Sequence, residues 1–210
     1  MRRRKKPRKA GVPMNPGELK ERISLLSIKQ LENTYTWEIL SKIWSKVEQL
    51  SGNNLFSKVG MGANSIKFTI RIRSDLALHH AFLWQGKHCF LTNINEIDPG
   101  YYEVTAALVE PKVCSIKKTG EPKRNGLNRP IYDEPVMVTF PGCLIEKYLG
   151  QTQNKPMAYT ETRYVLVTPK IIDLDEGEIV IIEETPYTVL IPHILDDFKN
   201  EYEIMVKEDN

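Results

Sequence analysis

The sequence predicts an all-β protein: two tandem small antiparallel β-barrels with long loops, preceded by a disordered basic N-terminal arm. Three observations carry that prediction. Lys67 to Arg73 alternates strictly, with Phe68, Ile70 and Ile72 on one side and Lys67, Thr69, Arg71 and Arg73 on the other. That is the two-residue period of a half-buried strand. Phe82-Leu83-Trp84 and His88-Cys89-Phe90-Leu91-Thr92-Asn93-Ile94 flank Gln85-Gly86-Lys87, a polar turn whose glycine supplies the positive φ of a tight hairpin. The order of extended segments then recurs in the second half of the chain.

The elements follow from the N-terminus. Arg2, Arg3, Arg4, Lys5, Lys6, Arg8 and Lys9 crowd the first ten residues without an acid, and removing these seven cations from a net charge of +2 leaves 2 − 7 = −5. Residues 1–13 are expected to be disordered, because like charges repel and no core can form there. They serve either as an arm for phosphate or an acidic surface, or as a solvated tail. Asn15, Pro16 and Glu18 suit the cap and first turn of a short helical entry. Ile23 to Ile28 is a first strand and Lys29 to Thr36 a connecting loop. In Trp37 to Leu50, Ile39, Leu40, Ile43, Trp44 and Val47 have helical spacing, while Ile43 to Val47 also fits a strand.

Ser51 to Ser65 is a long loop. Gly52, Gly60 and Gly62 give it backbone freedom, and Asn53, Asn54, Phe56 and Lys58 lie between them. The same stretch also reads as a short helix over a barrel end. Asp98-Pro99-Gly100 turns into a strand from Tyr101 to Val109. Lys112 to Arg129 reads as a linker or long hairpin loop. Further strands are Val136 to Phe140, Thr162 to Val167, Ile179 to Ile182 and Pro186 to Ile191, the last two around Glu183-Glu184-Thr185, and finally Glu201 to Lys207.

In the repeat, Tyr102-Glu103-Val104 answers to Tyr202-Glu203-Ile204, and Lys87 to Leu91 to Pro186 to Leu190. Phe68 to Arg71 answers to Tyr164 to Val167, and Ile43 to Val47 to Val136 to Phe140. The second member of the last pair is plainly extended, so Ile43 to Val47 is read as a strand. The resulting division is an arm at 1–13, a barrel at 14–112 and a second barrel at 113–210, with a boundary near Lys112 to Lys118.

No constellation argues for an enzyme. Cys89, Cys114 and Cys143 form no CxxC pair and suggest a reducing compartment. His79, His80 and His88 lack the further ligands of a tetrahedral metal site, so neither a metal nor a cofactor is expected. His88 and Cys89, as neighbours on a strand, face opposite sides and cannot act as base and nucleophile, so Cys89 is expected to be a buried small hydrophobe. Asp173, Asp175, Glu176 and Glu178 lack EF-hand spacing and read as a solvated turn or a face for a basic partner. Apolar runs are too short for a membrane helix, and Pro13, Pro16 and Glu18 replace the apolar core of a secretory signal. The strand cations Lys67, Arg71 and Arg73 suit a phosphate backbone, or else pair with acids on a neighbouring strand or subunit.

Residues 14–111 resemble the tailed-bacteriophage head–tail joining family, the head-closure or stopper proteins. The resemblance lies in Met14-Asn15-Pro16-Gly17-Glu18-Leu19-Lys20-Glu21-Arg22-Ile23, Ile43 to Gly52, Phe68 to Arg73 and Leu83-Trp84-Gln85-Gly86-Lys87-His88-Cys89-Phe90-Leu91. It implies a small β-barrel in a ring below the portal, a strand through Trp44-Ser45-Lys46-Val47, and a long channel loop at Ser51 to Ser65. The basic arm and the second copy exceed the family's pattern. The implied function is a structural protein of the virion neck, made in the host cytoplasm. Its partners would be itself in a ring (a hexamer on the duplication argument), the portal or adaptor protein, a tail-completion or tail-tube protein, and packaged double-stranded DNA. The alternative is a nucleic-acid-binding module of two SH3-like or OB-like barrels with a basic arm.

Overall fold

The computed structural model describes residues 15–50, 65–119, 123–124, 126–127, 129–131, 134–147, 163–193 and 197–207. The basic arm, Arg2 to Lys9, lies outside the described residues. So does the predicted channel loop, including Gly52, Asn53, Asn54, Phe56, Lys58, Gly60 and Gly62.

The all-β expectation holds. A single 3-10 turn at Pro16–Glu18 opens the described chain, and the Asn15 side-chain oxygen accepts the Gly17 N–H at 3.0 Å. Six strands follow: β1 (Glu21–Leu31), β2 (Thr34–Leu50), β3 (Ser65–Arg71), β4 (Ala81–Trp84), β5 (Lys87–Asp98) and β6 (Tyr101–Val109). They pair in the order β1-β4-β5-β6-β3-β2, and β2 pairs back onto β1. The sheet thereby closes on itself, with the β1–β4 seam made by Ser24, Leu25 and Leu26.

Six more strands repeat this arrangement: β7 (Lys112–Lys118), β10 (Val136–Lys147), β11 (Arg163–Pro169), β12 (Ile179–Ile182), β13 (Thr185–His193) and β14 (Lys199–Val206). Between the first two of them, β8 (Lys123–Arg124) and β9 (Pro130–Ile131) form a separate two-stranded ladder. The order β7-β12-β13-β14-β11-β10 closes through β10 onto β7, strand for strand as in the first circuit. β3, β4, β5 and β6 begin at Ser65, Ala81, Lys87 and Tyr101, and their counterparts at Arg163, Ile179, Thr185 and Lys199, each 98 residues later. Register agrees as well. Phe68 faces Val104 where Leu166 faces Tyr202, and Ile23 faces Ile43 where Cys114 faces Phe140.

This register corrects the residue matches read from the sequence. Tyr202 answers to Val104 and not to Tyr102; Lys87 answers to Thr185, Phe68 to Leu166 and Ile43 to Phe140. Order and spacing carry the repeat while identities have drifted, so chance identities mislead by one to four residues.

Three element assignments change too. Lys29 to Thr36 is no loop, since β1 and β2 run through it and turn only at Glu32 and Asn33, with Glu32 at φ 54°. Its side chains are polar because this end of the hairpin is mostly exposed. Lys112 to Arg129 is neither a linker nor all hairpin loop, because its first seven residues form β7, which pairs antiparallel with β10 and turns Cys114 and Ile116 into the second core. β3 ends at Arg71, so Ile72 faces solvent and Arg73 belongs to the following turn. The strand reading of Trp44 stands against its helical spacing.

Each circuit encloses its own core. Ile23, Phe68, Phe82, Trp84, Leu91 and Val104 meet in the first, and Ile116, Phe140, Leu166, Val180, Tyr202 and Ile204 in the second. Each such aliphatic or aromatic side chain contributes roughly 1.5–3 kcal/mol by leaving water. A third, smaller cluster lies where the outer faces of the circuits touch, with Phe90 and Ala107 packed against Cys143, Val165 and Val167. β11 is thus buried on both faces, which is why its sequence alternates poorly. One parallel pair, Thr34 with Thr139, joins the two sheets, and the Thr139 N–H donates to Asn33 O at 2.9 Å.

Candidate interaction surface

The sequence grouped Lys67, Arg71 and Arg73, but the fold separates them. Lys67 Nζ lies 3.2 Å from Glu103 on β6, diagonally across the β3–β6 ladder. Arg73 makes two hydrogen bonds to Asp75 and one to Ser41 Oγ at 2.9 Å, and its pairing holds the Asp75 carboxyl below the usual carboxylate range. These two cations therefore have acidic partners within the chain.

Arg71 is different. β2 pairs with β3 through Ser45 and Ile70, so Arg71 is the next outward residue beside Trp44. Across the other ladder Arg22 pairs with Trp44, and its guanidinium carbon lies 5.7 Å from the indole centroid, within cation–π range. Arg22, Trp44 and Arg71 thus form a row across three strands. Trp44 is 55% exposed. Beside the row runs an open groove of about 480 Å³, lined by Pro16, Leu19, Lys42, Ile43, Trp44 and Arg71. No ion pair engages Arg22, Lys42 or Arg71 among the described residues. The nearby Glu18 is held by Lys46 at 2.8 Å.

Sequence reading missed Arg22, Lys42 and Trp44 as a unit. A signal was present in Lys42-Ile43-Trp44-Ser45-Lys46, which alternates Lys, Trp, Lys on the outward face once the segment is read as a strand.

The remaining candidates are structural. His80 is buried, and its Nδ1 accepts the Ala77 N–H at 3.1 Å; burial, with His79 beside it, lowers its pKa. His88 lies under Trp37 and Phe90, with ring centroids 5.0 and 5.2 Å away, and burial pushes its pKa down to about 4. Among the described residues, neither His88 Nε2 nor Trp37 Nε1 has a hydrogen-bond partner. Cys89 is a buried hydrophobe, as expected. Burial raises both its thiol and that of Cys114 to about 12, and raises that of Cys143 as well. Among the described residues no three His, Cys, Asp or Glu side chains converge as metal ligands, and no helix is long and apolar enough to cross a membrane. The acidic turn is ordered by the Asp175 N–H on Glu178 Oε2 and by Lys118 Nζ on Asp173 O. Asp173, Asp175 and Glu176 point to solvent.

Comparison with protein-family models, curated proteins and solved structures finds no match.

Proposed function

We propose that the chain is a structural protein of the phage neck, acting in an oligomeric ring that connects the portal or adaptor complex to the tail and helps retain packaged DNA. The observation that carries this reading is the pairing of two closed sheets with an exposed Arg22–Trp44–Arg71 row. Closing each circuit reduces the strand edge available for pairing, so association favours outer faces. Half-exposed Trp flanked by Arg is the residue chemistry that dominates protein interfaces. The resemblance of residues 14–111 to head-closure proteins supports the same reading. A ring of six such chains would present twelve similar circuits to a twelve-fold portal-side ring. In a phage carrying this coding sequence, a nonsense mutation in it is expected to yield filled heads that lose DNA and lack tails. Normal tailed particles from the mutant would end the proposal.

One observation favours a second reading, a nucleic-acid-binding module. Trp44 beside Arg22 and Arg71 is also the pairing of aromatic ring and cation that binds single strands. That reading expects salt-sensitive binding of DNA or RNA by the purified chain, weakened by deleting residues 1–13 and by Trp44→Ala.

A further inference from the structure

The two circuits share one strand plan, yet two matched patches of their surfaces differ in charge. In the first, the outward row is Arg22–Trp44–Arg71, with Lys42 two residues before the indole on the same strand. The places at the same register in the second circuit are the exposed Val113, the half-buried Pro141 and the buried Pro169, and they carry no charge. The turn after β11 carries Asp173, Asp175 and Glu176 outward. At the 98-residue spacing, the turn after β3 has Asp75, Ala77 and Leu78 in those places, and Arg73 neutralises its one acid. At these two matched places, cations and an indole stand on one copy of the plan, and exposed carboxylates with no ion pair among the described residues stand on the other.

We propose that the occupant of the groove beside Trp44 is the Asp173–Glu176 turn of a second copy of this chain, a contact that rests on the ring reading above and names its surfaces. The carboxylates of Asp175 and Glu176 lie against Arg22, Lys42 and Arg71, and the turn backbone covers the indole. Such a contact joins unlike surfaces. In a pair it leaves one chain with a free turn and the other with a free groove, so it propagates head to tail and closes as a ring where the rotation permits. Opposite charge at the two surfaces speeds the encounter and fixes its register.

The test is charge reversal in the full chain, read by sedimentation velocity and by iodide quenching of tryptophan. Trp37 is half-buried, Trp84 is buried and Trp44 is exposed, so Trp44 should dominate the quenching. Wild type is expected to associate in a salt-sensitive way with Trp44 protected. R22E/R71E and D175K/E176K should each weaken association about tenfold or more and leave Trp44 open to iodide. Mixing the two variants, or combining all four changes in one chain, restores association. All these positions are exposed, and unchanged thermal unfolding confirms that each variant is folded. Association that survives both reversals, or a combined variant that stays apart, would overturn the contact and leave the neck reading standing. A wild-type chain that remains monomeric overturns the contact as well, while the particle phenotype judges the neck reading separately.

Discussion

Gly142 occupies in β10 the place that Ser45 occupies in β2. Each lies opposite the first residue of its copy's opening strand, Lys112 and Glu21 respectively. Ser45 is fully buried, and its one hydroxyl proton lies between two acceptors, Lys46 O and Thr69 O, at 3.0 and 3.2 Å from Oγ. In the second copy Leu166 and Cys114 fill that volume, and a methyl group on Gly142 would stand 2.8 Å from Leu166 Cδ1 and 2.9 Å from Cys114 Sγ.

Gly142→Ala should therefore destabilise the fold by overpacking, by about 1–3 kcal/mol. The neighbours it meets are themselves fully buried, so they have little room to give. Thermal unfolding measures the effect, and a melting temperature at or above wild type would contradict it.

Tyr202→Phe tests the turn that carries the acidic residues. The Tyr202 hydroxyl donates to Ile172 O at 2.9 Å and accepts the Leu174 N–H at 3.1 Å. Ile172 O retains Asn200 Nδ2 at 2.8 Å, but the Leu174 N–H is left buried without this acceptor. The expected cost is about 1–3 kcal/mol, with earlier amide exchange at Leu174. Unchanged protection there would count against the tether.

Glu184→Gly should stabilise. Glu183 and Glu184 both have positive φ, 47° and 72°, as a two-residue hairpin turn with matching twist requires. The equivalent turn uses Gln85 and Gly86. A non-glycine residue in the left-handed region costs about 1–2 kcal/mol, partly offset by the greater freedom of glycine in the unfolded chain. Glu184 is the position to change, since Glu183 bonds Lys112 Nζ at 2.8 Å. A lower melting temperature for the variant would refute the argument.

How much of this was legible in the sequence follows from which faces water reaches. β3, β4, β5 and β6 alternate or end in glycine turns, and all were readable. β7 was not: Val113 and Lys117 face solvent, and only Cys114 and Ile116 enter the core. Two inward residues in seven look like a polar linker until β10 and β12 are paired to either side. Trp44 has helical spacing, and the strand reading needs the repeat and the family resemblance to decide it. The candidate surface was half legible. Arg71 was named, but Lys67 and Arg73 find Glu103 and Asp75 through pairings that no local pattern encodes. Arg22 reaches Trp44 only through the β1–β2 register.

The sequence offers His88 neither a metal nor a base role, and the fold packs it beside the cluster between the circuits. Its ring is buried against Trp37 and Phe90, and desolvation alone lowers its pKa to about 4 from 6.5. A depressed histidine means that the unfolded chain takes up the proton first. Its contribution to stability is therefore intact above pH 6.5 and is lost as pH falls towards 4, by up to about 3 kcal/mol. His88→Leu removes this dependence, while carboxylates and His80 titrate equally in both proteins, so the difference between the two stability curves isolates His88. The expected result is a gap that widens in favour of the Leu variant below pH 6.5. The first signal of acid unfolding should be a change at Trp37, as the cluster of Phe90, Val165 and Val167 opens. Curves that stay parallel from pH 7 to 4 would mean that His88 meets water or a partner in the folded chain.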